Sequence, residues 1–469
     1  MSSSSSSPPP SPSPPPSPSS PAPFRAFEWP RLSSLVALSD YLLWVTLYRL
    51  LPHRLVTWAF LLFTTIQLYW LATKYLLVEL HRKLSRRVRN LSGRTEDIPD
   101  IPERLPPGYV AVVTGGSRGI GLSVATELYR RGSTVVVTAH GLTPPEREQL
   151  AERIRNGEKV TAEKNCGDGD GDACDKAEAE DKTSEEGRLH IYQIDLRDLG
   201  AVCRFAEHLT DRFDGRLNLL VNNAGVMYVP LAYTEDGFEE HYQVNYLAHA
   251  LLTWLLLPAL QRGGDGTSSS TGPRHTHPSR IVNVSSSTHY ARDLFLEDLQ
   301  SRASPYSPYH AYAQSKLAIL MHTYWLAEWL KEHENQEDNP PSVLVNTLHP
   351  GVVNTALYEN VWWVRRFPLA AQLLFRSPEE GAETVLYAAL STQVDSGGGY
   401  YEDCRRVRSS RFSYRRSIQR RLAAATAAQL NPVIEAEVNG ERRRRGVAPV
   451  PLMYYHYNHS TPTTTTTTT

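Results

Sequence analysis

Residues 114–121 read TGGSRGIG and directly follow a short apolar run, YVAVV at 109–113. A helical pattern continues after them through Leu122, Ala125 and Leu128. The order strand, glycine-rich turn and helix is typical of a dinucleotide site, because glycines let the backbone turn tightly and approach a pyrophosphate closely. The unpaired N–H groups and positive dipole end at the helix start would bind that anion. A plain tight turn would also use glycines, so the interpretation depends on the segments after this helix.

Three further strand-like runs come after it in order. Residues 135–140 (VVVTAH) read as a second strand, 191–196 (IYQIDL) as a third and 217–225 (LNLLVNNAG) as a fourth. Asp195, in the third run, is expected to meet an adenine. Alternating strands and helices predict an α/β fold, a Rossmann-type doubly wound parallel sheet in a single catalytic domain. A ligand would then bind at the carboxyl ends of the strands.

The end of the second strand bears on the choice between NAD(H) and NADP(H). An acidic residue there would accept hydrogen bonds from a free ribose hydroxyl and repel a 2′-phosphate. This strand ends instead on Thr138, Ala139 and His140, and the glycine turn carries Arg118. Both features favour NADP(H), while NAD(H) stays open because histidine binds phosphate less well than arginine.

A second group of motifs carries candidate acid–base residues. Residues 280–290 (RIVNVSSSTHY) predict a buried strand that ends in hydroxyl groups, and AYAQSKLA stands at 311–318. In the latter, Tyr312 and Lys316 are four residues apart and therefore share a helix face. A phenol with a pKa of about 10 is a poor proton acceptor at neutral pH, and a neighbouring ammonium would favour the phenolate. Such a pair is common on helix surfaces, but after a nucleotide fold it indicates catalysis.

The motifs TGGSRGIG, NNAG, VNVSS, YAQSK and HPGVVNT resemble, in order and spacing, the short-chain dehydrogenase/reductase family. The likeness covers residues 109–404 and is greatest to the part of the family near the retinol dehydrogenases. The resemblance implies that Tyr312 gives and takes the proton, while Lys316 lowers its pKa and holds the nicotinamide ribose. It also implies that Ser286 hydrogen-bonds the substrate oxygen and that Asn245 holds a water molecule of a proton relay. As structural alternatives, Ser286 would cap a strand end and Asn245 would be an ordinary polar helix residue.

Motif position and resemblance together predict the cofactor-binding residues. They are Gly115, Ser117, Arg118, Gly119, Ile120, Gly121, His140, Asp195, Leu196, Asn222, Ala224, Gly225, Tyr312, Lys316, Pro350, Gly351 and Thr355.

No metal site is expected. The acidic stretch at 168–172 (DGDGD) suggests a calcium loop, but an EF-hand starting at Asp168 would need glycine and glutamate where the chain has Ala173 and Ala179. His275 and His277 lie in a Gly/Ser/Pro-rich loop and are interpreted as unliganded.

The segment at 357–375 (LYENVWWVRRFPLAAQLLF) is rich in Trp, Leu and Phe, and family members commonly cover the substrate here. An apolar lid suits a lipid alcohol or aldehyde, whereas a helix packed on the core is the structural alternative. The resemblance implies a polyisoprenoid alcohol or aldehyde, with a retinoid or steroid as alternatives. A catalytically silent, membrane-tethered nucleotide-binding scaffold is the alternative of another class, and the intact set of catalytic residues argues against it.

Residues 55–73 (LVTWAFLLFTTIQLYWLAT) form a charge-free run whose helix would span roughly 28 Å, close to the hydrocarbon thickness of a bilayer. A buried core helix is the alternative. The run at 35–51 is interrupted by Asp40 and Arg49, so it would lie on the membrane or form a weaker second pass. A basic cluster succeeds the main run and favours a cytosolic side for everything downstream: Lys74, Arg82, Lys83, Arg86, Arg87 and Arg89. We expect the endoplasmic reticulum, with lipid droplets as an alternative.

The remaining composition sets the predicted domain limits. A Ser/Pro-rich tail (1–30) and an anchor region (31–90) precede a catalytic domain at 105–405, which contains an acidic insertion at about 160–187. A partly disordered extension occupies 406–469. Four cysteines without CxxC spacing suit reduced thiols, and the net charge of −1 gives no attraction to nucleic acid. The expected partners are therefore a lipid substrate and a membrane, and a homodimer is left open.

Overall fold

The computed structural model describes residues 66, 69, 70, 73–83, 100–157, 188–264, 278–291, 293–302, 306–334 and 341–453. Most of the predicted membrane run at 55–73 lies outside these residues, as do the acidic insertion, His275, His277 and both ends of the chain. Within the described ranges no helix combines the length and apolar character that crossing a bilayer requires.

An eight-stranded sheet in the order β3-β2-β1-β4-β5-β6-β7-β8 forms the centre of the catalytic unit. All neighbours pair in parallel except β7 and β8, which are antiparallel. The doubly wound sheet predicted from the alternating pattern is thus confirmed. The strands are β1 Val110–Val113, β2 Thr134–Ala139, β3 Leu189–Gln193, β4 Leu219–Asn222, β5 Ser279–Val284, β6 Val343–His349, β7 Tyr400–Glu402 and β8 Arg405–Val407.

Helices cover both faces of this sheet because its strands are apolar on both sides, as parallel strands usually are. They are α1 Gly119–Arg130, α2 Pro144–Asn156, α3 Leu199–Arg212, α4 Ala248–Gly264, α5 Pro308–Glu334, α6 Trp362–Arg366, α7 Pro368–Leu374, α8 Pro378–Leu390, α9 Arg416–Val433 and α10 Gly440–Arg444. A short helix, Glu240–Tyr242, and a π-helical turn, Gln243–Leu247, lead into α4. A separate helix covers residues 73–83.

The limits of the four predicted strands differ from the structure by up to three residues at either end, and the predicted end of the domain differs as well. The third strand ends at Gln193, so Asp195 lies in the turn after β3 and not within it. The hydrophobic core also continues past residue 405, where α9 buries Leu422, Ala423 and Leu430. These residues recur at helical spacing, which gives α9 an apolar face that packs against the hydrophobic core. Met453 is buried in the same core, so the extension through this residue belongs to the folded unit.

Helices α2, α4 and α5 each precede a parallel strand. In a doubly wound sheet such helices end near the amino ends of the strands, because the chain must return to the start of the next strand.

Candidate active site

A cavity of about 1980 Å³ lies at the carboxyl ends of the parallel strands. Residues that come after β1 to β6 line it, which is where the topology predicts a ligand. Most of the residues proposed from the sequence contribute to its wall: Gly115, Ser117, Arg118, Gly119, Ile120, His140, Asp195, Leu196, Ala224, Gly225, Ser286, Tyr312, Lys316, Pro350, Gly351 and Thr355. Gly121, Asn222 and Asn245 do not line the cavity. Their contacts are with other residues of the protein, so they support the site and do not form its wall.

The glycine turn is packed so closely that side chains cannot replace its hydrogens. Gly115 has φ +62°, and a Cβ there would lie 2.9 Å from Ala224 Cα. A Cβ on Gly121 would lie 2.3 Å from the Gly115 carbonyl oxygen, and one on Gly119 would lie 2.9 Å from Thr355 Cγ2. The turn therefore fits between the NNAG loop and the loop after β6 only because these positions lack side chains.

The first turn of α1 is suited to a bound anion. Its N-cap is Arg118, which makes no side-chain capping hydrogen bond, and no acidic residue lies in the first turn. By contrast, α8 starts with a complete capping box formed by Ser377 and Glu380. The backbone N–H groups of α1 thus face the cavity without a capping side chain, as a pyrophosphate group requires.

Thr114 joins this turn to the loop after β4, a role that the sequence did not reveal. Its hydroxyl oxygen accepts hydrogen bonds from the backbone N–H of Asn223 (2.9 Å) and of Ala224 (3.0 Å). It also contacts Nε2 of the buried His249 at 3.0 Å, and burial lowers the pKa of that histidine to about 4. A neutral imidazole therefore completes the support. In the sequence, the only local indication of this role is that a threonine directly precedes Gly115 and Gly116.

Arg197 lies beside the ends of β2 and β3 in the cavity wall. It donates to both carboxylate oxygens of Asp195 at 2.9–3.1 Å, and its NH2 group lies 3.4 Å from His140 Nε2. Burial acts to raise the pKa of Asp195, but the hydrogen bonds from Arg197 outweigh it and lower that pKa. Arg118 and Arg153 also line the cavity. Sequence reasoning missed Arg197 and Arg153 because neither belongs to a motif.

Tyr312 and Lys316 share one face of α5 beneath the cavity, as their spacing predicted. The Lys316 ammonium donates to the Val284 carbonyl oxygen at 3.0 Å and lies 5.9 Å from the centre of the Tyr312 ring. Burial lowers the pKa of Lys316 to about 8. Burial also raises the pKa of Tyr312 to about 12, and a hydrogen bond with Ser286 opposes this rise. Both groups are therefore held in a poorly solvated site.

The two serines after β5 have different surroundings. Ser285 is buried and donates to the Lys316 carbonyl oxygen at 2.8 Å, so it fixes the strand to α5. Ser286 lines the cavity and is the one hydrogen-bonded to Tyr312. The role that the sequence assigned to Ser286, a hydrogen bond to the substrate oxygen, stays a prediction.

Asn245 lies in the π-helical turn before α4 and is fully buried. Its amide nitrogen donates to the Val226 carbonyl oxygen (3.0 Å) and to Ser315 Oγ (2.9 Å), and its oxygen accepts from Val226 N–H (2.8 Å). This side chain therefore fastens the loop after β4 to α5, directly behind Tyr312. π-Helical turns often occur at functional sites.

Further aromatic rings lie next to Tyr312. Tyr228, which has φ +58°, meets Tyr312 edge-on with ring centres 5.4 Å apart, and Tyr309 lies 4.5 Å from Tyr228. Tyr358, from the predicted lid, packs 4.8 Å from Phe375. The lid segment consists of a 3-10 turn, α6 and α7, and it exposes two further apolar side chains, Phe367 and Leu369. Tyr228 carried no recognisable signal in the sequence.

Comparison with known proteins gives consistent matches. The family described as short chain dehydrogenase matches residues 109–168 and 160–293. Polyprenol dehydrogenase of Homo sapiens is 36% identical over 327 residues, 69% of this chain and 85% of that protein. Polyprenol dehydrogenase of Danio rerio is 37% identical over 364 residues, 76% of this chain and 93% of that protein. Retinol dehydrogenase 14 of Homo sapiens is 34% identical over 306 residues, 64% of this chain and 80% of that protein.

Proposed function

The chain belongs to the short-chain dehydrogenase family, and we propose that it interconverts a long polyisoprenoid alcohol and the corresponding aldehyde. As a family member it is an NAD(P)-dependent oxidoreductase that acts on CH–OH groups. The observation that carries the substrate proposal is the similarity to two polyprenol dehydrogenases over 85% and 93% of their lengths. The aromatic wall at Tyr228 and Tyr309 and the apolar lid agree with a hydrophobic, unsaturated chain.

The chain's own residues would hold and move the proton. In alcohol oxidation the Tyr312 oxygen takes the hydroxyl proton of the substrate, and in aldehyde reduction it returns a proton to the same oxygen. Ser286 donates a hydrogen bond to that oxygen, and the Lys316 ammonium favours the phenolate that burial alone disfavours. A bound nicotinamide supplies or accepts the hydride. The proposed water of the relay would be held beside Asn245.

We also propose a preference for NADP(H). Arg118, Arg153 and Arg197 line the cavity, and Arg197 lies beside His140 at the end of β2, where a 2′-phosphate would gain charge-assisted hydrogen bonds. Since Asp195 is already paired with Arg197, its carboxylate would repel the phosphate less than a bare one.

Anchoring in a membrane through residues 55–73, with the catalytic unit on the cytosolic face of the endoplasmic reticulum, remains our proposal for localisation. A lipid substrate could then enter from the bilayer.

The test is a panel of lipid alcohols and aldehydes, assayed on membranes that contain the full chain, with NAD(H) and NADP(H) supplied separately. Polyprenols or their aldehydes should react fastest, and the same membranes with Tyr312→Phe should not. Retinol is the second candidate, because retinol dehydrogenase 14 is 34% identical. Faster turnover of retinol than of any polyprenol would replace the proposal, and no turnover of any alcohol would favour a silent scaffold.

A further inference from the structure

The helix at residues 73–83 is joined to the catalytic unit by a buried ion pair. Glu79 is 1% exposed and Arg376 is 4% exposed, and Arg376 Nε donates to Glu79 Oε1 at 2.6 Å. Nearby, Arg82 pairs with Asp403 at 2.8 Å, and the Lys83 ammonium donates to the Phe375 carbonyl oxygen. The segment that precedes the Rossmann unit therefore packs specifically onto it.

Arg376 is also the main support of the loop after β6. Its backbone N–H donates to the Val352 carbonyl oxygen (2.8 Å), and its carbonyl oxygen accepts from Asn354 N–H (2.9 Å). Its guanidinium donates to the Pro350 carbonyl oxygen at 3.3 Å. Gly351 lies directly against this side chain, since a Cβ at φ +90° would be 2.3 Å from Arg376 Cζ and Nε.

The Glu79–Arg376 ion pair is expected to order the loop more than it stabilises the fold. The free energy needed to remove two charges from water offsets much of the attraction between them, so a buried ion pair adds little net stability. Asp403 contacts the same guanidinium at 2.7 Å, so Arg376 would keep a counter-charge without Glu79. Glu79 instead fixes the direction of the guanidinium, because it holds Nε while NH1 reaches Pro350.

We propose that Glu79 is a positioning residue for the loop at 350–355, acting through Arg376. The inference rests on the proposed function, in which Pro350, Gly351 and Thr355 of this loop bind the cofactor in the cavity that they line. The segment between the predicted membrane run and the Rossmann unit thus forms part of the support of the active site.

The test compares Glu79→Gln with the full-length parent by hydrogen exchange at the Asn354 amide and by fluorescence titration with NADPH. The amide should exchange faster, and NADPH should bind about three- to thirtyfold more weakly, the range expected for contacting residues. Glu207→Gln is the matched control, because it removes a carboxylate from an ion pair with Arg442, and neither residue lines the cavity. This control should leave both measurements at the parent's values.

Two further variants keep the result interpretable. Adding Glu79→Gln to Arg376→Met should cause no further loss of NADPH affinity, because Glu79 acts only through Arg376. Glu79→Asp keeps the charge and replaces Glu79→Gln in the test if the latter does not fold. It should weaken NADPH binding and speed exchange of the Asn354 amide, but less than Glu79→Gln would. Parent-like NADPH binding and Asn354 exchange in a folded Glu79 variant would overturn the proposal. The NADPH titration needs no alcohol substrate. It therefore tests the role of Glu79 even if the substrate panel rejects a polyprenol as the substrate.

Discussion

The Lys316 ammonium lies 5.9 Å from the centre of the Tyr312 ring, one helical turn along α5, and both side chains are almost completely buried. Burial raises the pKa of the Tyr312 phenol and lowers that of the Lys316 ammonium, so both neutral forms are favoured in the unliganded protein. The first two predictions concern these two groups.

Tyr312→Phe removes the proposed proton donor and acceptor and keeps the ring that packs against Tyr228. Turnover should fall by about a hundred- to ten-thousandfold, the usual contribution of general acid–base assistance. NADPH affinity and the thermal midpoint should stay close to those of the parent. Initial rates on the best alcohol of the panel provide the measurement, and half the parental rate would reject the assignment.

Lys316 should make stability depend on pH in alkaline solution. Its ordinary pKa is 10.5, and burial lowers it to about 8 in the folded protein. Between these values the unfolded chain binds the proton and the folded protein does not, so the free energy of unfolding should rise with pH. The slope from this group is at most about 1.4 kcal/mol per pH unit.

Lys316→Met lacks that contribution, so the parent should gain stability relative to the variant as pH rises through this window. Urea unfolding of both proteins at several pH values between about 7 and 10 measures the difference. Parallel stability curves would show that the ammonium is solvated in the folded protein.

Arg118→Ala should weaken NADP(H) binding more than NAD(H) binding. Only the 2′-phosphate loses a charge-assisted hydrogen bond, for which about tenfold is a reasonable expectation. Titration of each dinucleotide by fluorescence gives the two affinities. Equal losses would mean that Arg118 contacts a group common to both, such as the pyrophosphate.

Gly121→Ala should destabilise the folded protein, because the new Cβ would lie 2.3 Å from a backbone oxygen that cannot move independently. Overpacking of this kind costs about 1–3 kcal/mol. Gly440→Ala is a matched control in helix α10, where the nearest atom to a Cβ is 3.6 Å away. It should be neutral or stabilise by up to about 1 kcal/mol. Chemical denaturation measures both, and similar effects would contradict the packing argument.

Deleting residues 1–72 should move the protein into the soluble fraction and leave the helix at 73–83 in place. The reason is the charge-free run at 55–73, the main predicted anchor. Deleting residues 1–90 also removes Glu79 and should lower the thermal midpoint further. Carbonate-resistant membrane binding of the shorter deletion would instead implicate the exposed Phe367 and Leu369 of the lid.

The sequence predicted the sheet and the shared helix face of Tyr312 and Lys316 because both depend on local patterns. Strand periodicity, the glycine turn and the Tyr312–Lys316 spacing are each encoded within a few neighbouring residues. Contacts between distant segments were not predictable in this way. Thr114 with His249, Arg197 with His140, and Glu79 with Arg376 come together only through the tertiary fold. The end of the core was missed at 405 for the same reason, since the contact of α9 with the core joins segments that are distant in the sequence.

Helices α2, α4 and α5 each lead back towards the start of a parallel strand, so their carboxyl ends lie at the amino edge of the sheet, opposite the cavity. A fluorophore or a short epitope attached at one of these helix ends would therefore lie far from the reacting groups. Three such attachment points on one side would let the orientation of the catalytic unit above a bilayer be measured by distance-dependent quenching in the working enzyme.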